Sequence, residues 1–300
     1  MEATIKPIAV LEAPSNLGLR PPEPGSVPGV YKLPGALRDC GIVERIGGQL
    51  AGVVVPPRYR VEWDGRSVRN GAAIAAYSVA LAARVGGILD GGAFPVVLGG
   101  DCSILLGNML ALRRSGQYGL VFIDGHLDFR HLGNSDSVGA AAGEDLALIT
   151  GRGENILVNI DGLRPYVREA NVVALGARDD DEYAEEARAA GIDVSLTSEV
   201  RGRGLTESAT EAVRRLSLAG VDGFWVHLDL DVLDSALLPA VDSREPNGLD
   251  FDELGELLVP LLRSAAGLEV TIFDPDLDPT GEQAERVTDM LSAAISRARS

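Results

Sequence analysis

The stretch GLVFIDGHLDFR, residues 119–130, joins an apolar run to a group of polar side chains that a buried strand does not need. Continuous apolar residues without alternation are typical of a parallel strand that is covered on both faces. Asp124, His126 and Asp128 follow at every second position, and side chains two residues apart in an extended segment point the same way. The stretch therefore predicts a buried parallel strand whose end carries metal-ligand side chains.

Two further apolar runs end in the same way. GGDCS, residues 99–103, carries Cys102, and HLDLDVLD, residues 227–234, carries Asp229 and Asp231. Ligands of parallel sheets gather at the carboxyl ends of the strands, so three such ends can converge in space. Because so many acids in one place are costly without a cation, the three clusters predict a site for up to two divalent metal ions.

The rest of the chain alternates between strand and helix patterns. Other strand candidates lie at 8–14, 51–57, 95–100, 171–177 and 268–275, and helical periodicity occurs at 35–47, 70–90, 103–115, 143–151, 181–190, 206–219, 250–265 and 281–298. This alternation continues over nearly 300 residues without a linker-like stretch. It predicts one α/β domain, residues 1–300, with a mostly parallel sheet.

The composition narrows the classes of partner. A formal net charge of -17 argues against nucleic acid, because a phosphate backbone would be approached against a like-signed field. Two cysteines make no disulfide framework and suit a reducing interior. The N-terminal residues lack the pattern of a signal peptide. Arg84 interrupts the apolar stretch at 70–90, whose charge-free part is shorter than the roughly 20 residues that a bilayer needs. We expect a cytosolic protein that binds a small molecule and no membrane.

The three motifs together resemble those of a known enzyme family. LGGDCS, IDGHLDFR and HLDLDVLDSALLPAVDSREPNGLDFDEL resemble, in order and spacing, the three metal-binding signatures of the arginase/agmatinase/formiminoglutamase family, the ureohydrolases. The resemblance covers most of residues 25–285. It implies a three-layer α/β/α fold with a mostly parallel sheet of about eight strands, and a homo-oligomer, either a trimer or a hexamer. It also implies a hydrolase whose two-manganese site activates water for attack on a guanidinium or formimino carbon.

Carried onto this chain residue by residue, the resemblance also implies a set of metal ligands. The family's ligand positions correspond to Cys102, Asp124, His126, Asp128, Asp229 and Asp231. Asp124 and Asp229 would bridge both ions. His126 and Asp231 would complete one ion, and Asp128 with Cys102 would complete the other.

Cys102 stands where the family has a histidine ligand. A thiolate is softer than an imidazole, so Zn²⁺, Co²⁺ or Fe²⁺ are alternatives to Mn²⁺ at this position. The other interpretation is that Cys102 is a small buried thiol and that one metal position is weak or empty.

Several positions depart from the family pattern. The proton-shuttle histidine of arginases corresponds to Ala142, and the glutamate that holds the guanidinium corresponds to Ile272. The asparagine that helps to hold the substrate carboxylate corresponds to Arg130, which is followed by His131. Asp181 matches the aspartate that contacts the substrate amino group. Classical arginase activity is therefore not expected.

What remains is a hydrolase of ureohydrolase type that acts on a linear amidine, a guanidine or a related C–N bond of another small polar molecule. Its leaving amine must be protonated, and His131, Glu144 and Asp128 are the candidates. Glu144 is equally explained as an acid at a helix N-terminus, and His131 as a loop residue. The alternative is a non-catalytic member that keeps the fold, and one metal ion, for stability or small-molecule sensing.

Three residues are candidate substrate contacts: Arg130, Asp181 and Ser243. Arg130 is suited to bidentate binding of a carboxylate, although a solvated arginine would explain it equally well. His227, just before the third motif, is expected to pack behind the ligands rather than to be one of them.

Overall fold

One eight-stranded sheet, in which every strand pair is parallel, organises the molecule. The computed structural model describes residues 6–300. The strands are β1 (Ile8–Glu12), β2 (Gly48–Val53), β3 (Phe94–Leu98), β4 (Gly119–Ile123), β5 (Val172–Leu175), β6 (Asp193–Ser195), β7 (Phe224–Asp229) and β8 (Gly267–Thr271). They lie in the order β2-β1-β3-β8-β7-β4-β5-β6, which confirms the predicted α/β class.

Helices cover both faces of this sheet. They are α1 (Leu33–Asp39), α2 (Ile42–Arg45), α3 (Gly71–Asp90), α4 (Leu105–Ser115), α5 (Asp145–Ile149), α6 (Asn155–Val158), α7 (Ala184–Ala190), α8 (Thr197–Arg203), α9 (Leu205–Leu218), α10 (Phe251–Leu262) and α11 (Glu282–Arg299). Apolar residues of α1, α2 and α8–α11 share one core with the sheet, and those of α3–α7 share the other. The result is the three-layer α/β/α arrangement.

Alternation along the strands explains why both cores exist. Within β4, Val121 and Ile123 belong to the core beneath α9–α11, whereas Leu120 and Phe122 belong to the core beneath α3 and α4. All four side chains are buried. The continuous apolar run of β4 therefore follows from its position inside the sheet, since both of its faces exclude water.

The order of the strands fixes where a ligand binds. The chain builds β1, β2 and β3 on one side and then crosses to β4, which leaves a gap that β7 and β8 fill later. Such a reversal of strand order is where open parallel sheets form a crevice at their carboxyl ends. The three polar motifs follow β3, β4 and β7, and all of them lie at this crevice.

Some boundaries differ from those predicted. The helix expected at 35–47 is two short helices, α1 and α2, because Gly41 adopts a left-handed conformation with φ 79°. The second strand begins at Gly48 rather than at residue 51, because residues 48–50 pair with β1. The three-residue strand β6 was not predicted, since Asp193–Ser195 contains a single apolar residue.

Among residues 6–300, one helix is long and apolar enough to cross a membrane by length and composition alone. That helix is α3. Its buried residues, including Ile74, Leu81 and Val85, recur along one side, where α3 packs against α4. The sequence pattern alone suggested a buried helix, whereas the structure buries one side of α3 and leaves the other side exposed.

Candidate metal centre

The turn after β3 places Cys102 inside the protein. Asp101 caps the 3-10 turn Cys102–Ile104 by accepting a hydrogen bond from the Ser103 backbone N–H at 2.9 Å, and Ser15 donates to its other oxygen at 2.7 Å. Gly100 is required here because a Cβ atom would lie 1.7 Å from the backbone oxygen of Ser15. The Cys102 side chain is completely buried as a result, with its Sγ 2.7 Å from Asp229 Oδ2.

The segment after β4 directs Asp124 and His126 to the same place. Asp124 Oδ1 accepts a hydrogen bond from the His126 backbone N–H at 2.7 Å, which fixes the carboxylate against its own turn. The His126 ring lies 3.0 Å from Asp231 Oδ2 and 3.8 Å from Asp124 Oδ1, measured from Nδ1. These contacts join the ends of β4 and β7.

The end of β7 contributes two acids, each of which accepts a hydrogen bond from a backbone N–H group. Asp229 Oδ1 accepts the backbone N–H of Asp231 at 2.7 Å, and Asp231 Oδ1 accepts the backbone N–H of Gly125 at 3.0 Å. Each carboxylate therefore has one oxygen anchored to the backbone and one directed into the crevice. Asp229 directs the free oxygen to Cys102, and Asp231 directs it to His126.

Together these side chains form two adjacent groups whose possible ligand atoms all lie within 4.8 Å of one another. The inner group is Cys102, Asp124, His227 and Asp229, and the outer group is Asp124, His126 and Asp231. Asp124 belongs to both groups, since its Oδ1 lies 3.8 Å from the His126 ring and its Oδ2 lies 3.8 Å from the His227 ring. The structure thus brings together five of the six predicted ligands, whereas Asp128 belongs to neither group and lines the cavity above.

Buried atoms without partners test whether this site suits a cation. Among residues 6–300, Asp124 Oδ2, both oxygens of Asp145 and His227 Nε2 have no hydrogen-bond partner, and these side chains are at most 1% exposed. Buried polar atoms are nearly always hydrogen-bonded, and an orphaned charged group is destabilising. A divalent cation bound beside Asp124 Oδ2 and His227 Nε2 would satisfy both of these atoms, so the residues present fit a metal ion.

Burial and the crowding of carboxylates also shift the pKa values of the groups at this site. Burial, and then the neighbouring carboxylates, raise the pKa of Asp124, Asp145 and Asp229 well above the ordinary value. Burial also raises the pKa of the Cys102 thiol, and Asp229 adds to this effect. Burial opposes a charge on His126, yet Asp231 and Asp124 outweigh it and raise the pKa of that ring to about 11. The pocket therefore favours positive charge and disfavours more negative charge.

A cavity of about 460 Å³ opens above the two groups. Of the candidate substrate contacts, Arg130, Asp181 and Ser243 all line it. The Asp181 carboxylate is held by the backbone N–H groups of Leu127 and Tyr183 at 2.9 Å each. The Arg130 Nε atom is buried and has no hydrogen-bond partner within the described residues. The cavity is large enough for a small polar metabolite and has both a free guanidinium and a fixed carboxylate on its wall.

The candidate proton donors separate in space. Asp128 lines the cavity, whereas His131 and Glu144 do not. The His131 ring lies 3.0 Å from Glu186 Oε1, and Glu144 accepts the backbone N–H groups of Gly139 and Ala140 at 2.5 and 2.9 Å. Glu144 thus holds a loop, and His131 contacts Glu186 near the surface.

The two positions at which the sequence lacks an expected polar residue both lie on the cavity wall. They are occupied by Ala142 and Ile272. Ile272 is 4% exposed and has φ 72°, a left-handed conformation that a β-branched residue adopts only under strain. Its backbone N–H donates to the Gly100 oxygen at 2.7 Å, which ties it to the turn before Cys102.

Comparison with known proteins agrees with this architecture. The model of the arginase family matches residues 17–297. This chain belongs to the arginase family. The arginase of Bacillus caldovelox is 30% identical over 292 residues, covering 93% of this chain and 95% of that protein. Its crystal structure superposes with a TM-score of 0.86 at 28% identity, over 97% of this chain and 98% of that chain. Formimidoylglutamase from Bacillus subtilis, 19% identical with a TM-score of 0.76 over 100% and 89% of the two chains, shares the fold.

Membership in this family makes the chain an arginase-family hydrolase of C–N bonds. The residues that sequence reasoning underrated are His227, Asp145 and Glu269. The structure places the His227 ring in the inner group rather than behind it. The sequence contained a signal for both His227 and Glu269. His227, Asp229 and Asp231 occupy alternate positions, and Glu269 is a charged residue within an apolar strand.

Proposed function

We propose that this protein is a metal-dependent hydrolase that cleaves a linear amidine, guanidine or related C–N bond in a small polar molecule other than arginine. The observation that carries the proposal is the pair of ligand groups with unpartnered buried atoms beneath the cavity. Divalent metal ions at such a site supply an activated water and polarise the bond to be cleaved.

The chain's own residues divide the work between holding metal and holding substrate. The outer group, Asp124, His126 and Asp231, offers oxygen and nitrogen ligands that suit Mn²⁺. The inner group adds the Cys102 sulfur, so Zn²⁺, Co²⁺ or Fe²⁺ compete with Mn²⁺ for the second position. Two ions are proposed in total, with Asp124 facing both.

The cavity wall suits a substrate that carries a carboxylate. The planar guanidinium of Arg130 lies over Gly143, where a Cβ atom would come within 2.4 Å of its Nη2 atom. The absence of a side chain at Gly143 leaves room for the guanidinium at the cavity, where it can bind a carboxylate through two parallel hydrogen bonds. Asp181 and Ser243, which line the same cavity, would contact other polar groups of that molecule.

The reacting end of the substrate differs from that of arginine. A positively charged guanidinium would lose its main anchor, because Ile272 offers only an apolar surface at this position. We therefore propose a reacting group that is less cationic than the guanidinium of arginine. Asp128 is the proposed proton donor to the leaving amine, since it alone of the three candidates lines the cavity.

The test is a substrate screen on protein that has been stripped of metal and reconstituted separately with Mn²⁺, Zn²⁺, Co²⁺ and Fe²⁺. Guanidino, amidino, formimino and ureido compounds are supplied, and release of urea, ammonia or formamide is measured. Hydrolysis that disappears in Asp124→Asn supports the proposal. Metal-loaded protein that hydrolyses none of these classes overturns it and favours the non-catalytic alternative, which the apolar Ala142 and Ile272 would then explain.

We also propose a homo-oligomer, a trimer or hexamer, located in the cytosol and acting as one domain without nucleic-acid or membrane partners. The edge strand β2 leaves Leu50 and Val53 exposed, at 55% and 42%, and Val55 beyond it is 75% exposed. An apolar edge of this kind suits a subunit interface. Light scattering of the purified protein measures the oligomeric state directly.

A further inference from the structure

The His227 ring is held more firmly than core packing requires. His227 lies directly opposite Glu269 in the pairing of β7 with β8, and its Nδ1 is 2.5 Å from Glu269 Oε1. The ring stacks on Phe122 with centroids 4.6 Å apart and an interplanar angle of 15°. The side chain is completely buried. Its orientation is therefore fixed on one edge by a carboxylate and on one face by an aromatic ring.

The opposite edge of that ring has no hydrogen-bond partner in the part of the chain that the structure describes. Nε2 lies 3.8 Å from Asp124 Oδ2 and 3.9 Å from Asp145 Oδ2, which is too long for a hydrogen bond. Two oxygen or nitrogen ligands about 2.0–2.1 Å from a tetrahedral zinc ion lie about 3.3–3.4 Å apart, close to these separations. The separation of His227 Nε2 from Asp124 Oδ2 is thus nearer to that of two ligands on one metal ion than to that of a hydrogen bond.

The contact on Nδ1 also sets the chemistry of Nε2. A histidine that donates its Nδ1–H to a carboxylate keeps the lone pair on Nε2, and this carboxylate–histidine pairing is the usual support of a metal-bound imidazole. Glu269 is completely buried and supplies such a carboxylate. The arrangement orients His227 to act as a metal ligand from within the sheet.

We propose that His227 is a metal ligand and that, with Cys102, Asp124 and Asp229, it forms an inner metal centre selective for Zn²⁺. This centre replaces the histidine lost at position 102 with one that approaches from a different strand. One sulfur, one nitrogen and carboxylate oxygens form a donor set that favours zinc over manganese. The outer group holds no sulfur and keeps the preference for a harder ion.

A metal-free alternative is an imidazolium that takes the place of the ion. It fits the geometry less well, because a proton on Nε2 would find no acceptor within hydrogen-bonding distance. The two cases differ in whether a metal–sulfur bond exists, which can be measured.

The inference rests on the proposed function only for the presence of metal, and its test needs no turnover. The full-length protein is stripped of metal and titrated with Co²⁺ while absorption is recorded, and zinc-loaded protein is analysed by X-ray absorption spectroscopy. We expect thiolate-to-cobalt charge transfer in the near ultraviolet, and one Zn–S distance of about 2.3 Å with an imidazole contribution. Only oxygen and nitrogen neighbours, or no bound zinc, would overturn the proposal.

Matched variants assign the signals, since the described chain offers one control for each ligand type. Cys102→Ser should abolish the charge transfer, whereas Cys40→Ser, at the end of α1, should keep it. His227→Gln should lower zinc affinity at least tenfold and remove the imidazole contribution, whereas His131→Gln should change neither. If His227→Gln fails to fold, His227→Asn and the spectrum of the unmutated protein decide the case.

The same experiment separates the two proposals. A zinc–sulfur bond in protein that hydrolyses none of the screened compounds retains the inner centre and overturns the proposed function. Hydrolysis that persists in Cys102→Ser with unchanged metal spectra retains the function and overturns the inner centre.

Discussion

His227 on β7 and Glu269 on β8 are directly paired across the sheet, and the ring nitrogen Nδ1 lies 2.5 Å from Oε1 of the carboxylate. Both side chains are completely buried in the described structure. Their contact links the interior of the sheet to the metal groups at its end, because His227 Nε2 faces Asp124. Glu269, on the neighbouring strand, is therefore part of the site because it positions the His227 ring.

Replacing the Glu269 carboxylate with a neutral amide should weaken zinc binding, although no metal ligand is removed. In Glu269→Gln the amide still fills the space, but the ring is no longer held by a carboxylate. Loss of such an outer partner typically lowers metal affinity about 10–100-fold. The measurement is a competition titration of zinc against a chromogenic chelator.

The control for this variant is Glu253→Gln at the exposed N-terminus of α10, where the carboxylate pairs with Arg201. Zinc affinity should be unaffected there. Equal zinc affinity in the unmutated protein and in Glu269→Gln would show that Glu269 does not act through His227.

Exchanging sulfur for nitrogen should change which metal is preferred. Cys102→His replaces a soft thiolate by an imidazole, so the preference should move from Zn²⁺ towards Mn²⁺, with manganese affinity rising by about tenfold or more. Elemental analysis after dialysis against equal concentrations of both ions measures the ratio. Cys40→His is the matched control. An unchanged ratio in Cys102→His would place Cys102 outside the metal centre.

Restoring a carboxylate on the cavity wall should restore affinity for guanidinium compounds. Ile272→Glu places a negative charge where the wall is apolar, and we expect arginine or agmatine to bind about tenfold tighter, measured by isothermal titration calorimetry on metal-loaded protein. Ile272→Gln has the same shape without the charge and serves as the control. Equal gains in both variants would show that charge is not what this wall lacks.

Arg130 should determine the response to a substrate carboxylate. With the substrate that the screen identifies, Arg130→Met should raise KM at least tenfold for the carboxylate form and change it little for the corresponding amide, because a bidentate charge-assisted contact is lost. The comparison of KM values for acid and amide is the measurement. An equal rise for both would assign Arg130 a general role in shaping the cavity.

The capping box of α10 gives a prediction for stability that is independent of the site. Asp250 accepts the backbone N–H of Glu253 at 2.7 Å, and the Glu253 side chain accepts the backbone N–H of Asp250 at 2.9 Å. Asp250→Ala should lower the free energy of unfolding by about 1 kcal/mol, as measured by urea denaturation. Asp252→Ala, an exposed acid in the same turn, should change it by a few tenths of that. Equal effects would contradict the capping role.

Sequence patterns predicted the sheet because its strands are buried on both faces and read as continuous apolar runs. The same logic fails at the edges. In β2 the pairing begins at Gly48 and Gln49, whose composition does not suggest a strand, and β6 is too short to show a pattern. Helix boundaries near Gly41 depend on one left-handed residue, which composition does not reveal.

The site was predictable to the extent that ligands alternate along a strand end. Asp124, His126, Asp229 and Asp231 meet because each pair follows a strand of the same crevice. The contribution of His227 depends on its neighbour in the sheet, Glu269, which is 42 residues away in sequence. Such a pairing depends on the order of the strands in the sheet, and the local hydrophobic periodicity of the sequence does not predict that order.

The stacking of two ligand groups beneath one cavity has a kinetic consequence. Asp229 of the inner group and His126 of the outer group both line the cavity, but Cys102 and His227 are completely buried. An ion in the inner group is thus held by two side chains that solvent does not reach, and it should leave more slowly than the outer ion. A chelator should strip the protein in two phases, a fast one from the outer position and a slow one from the inner position.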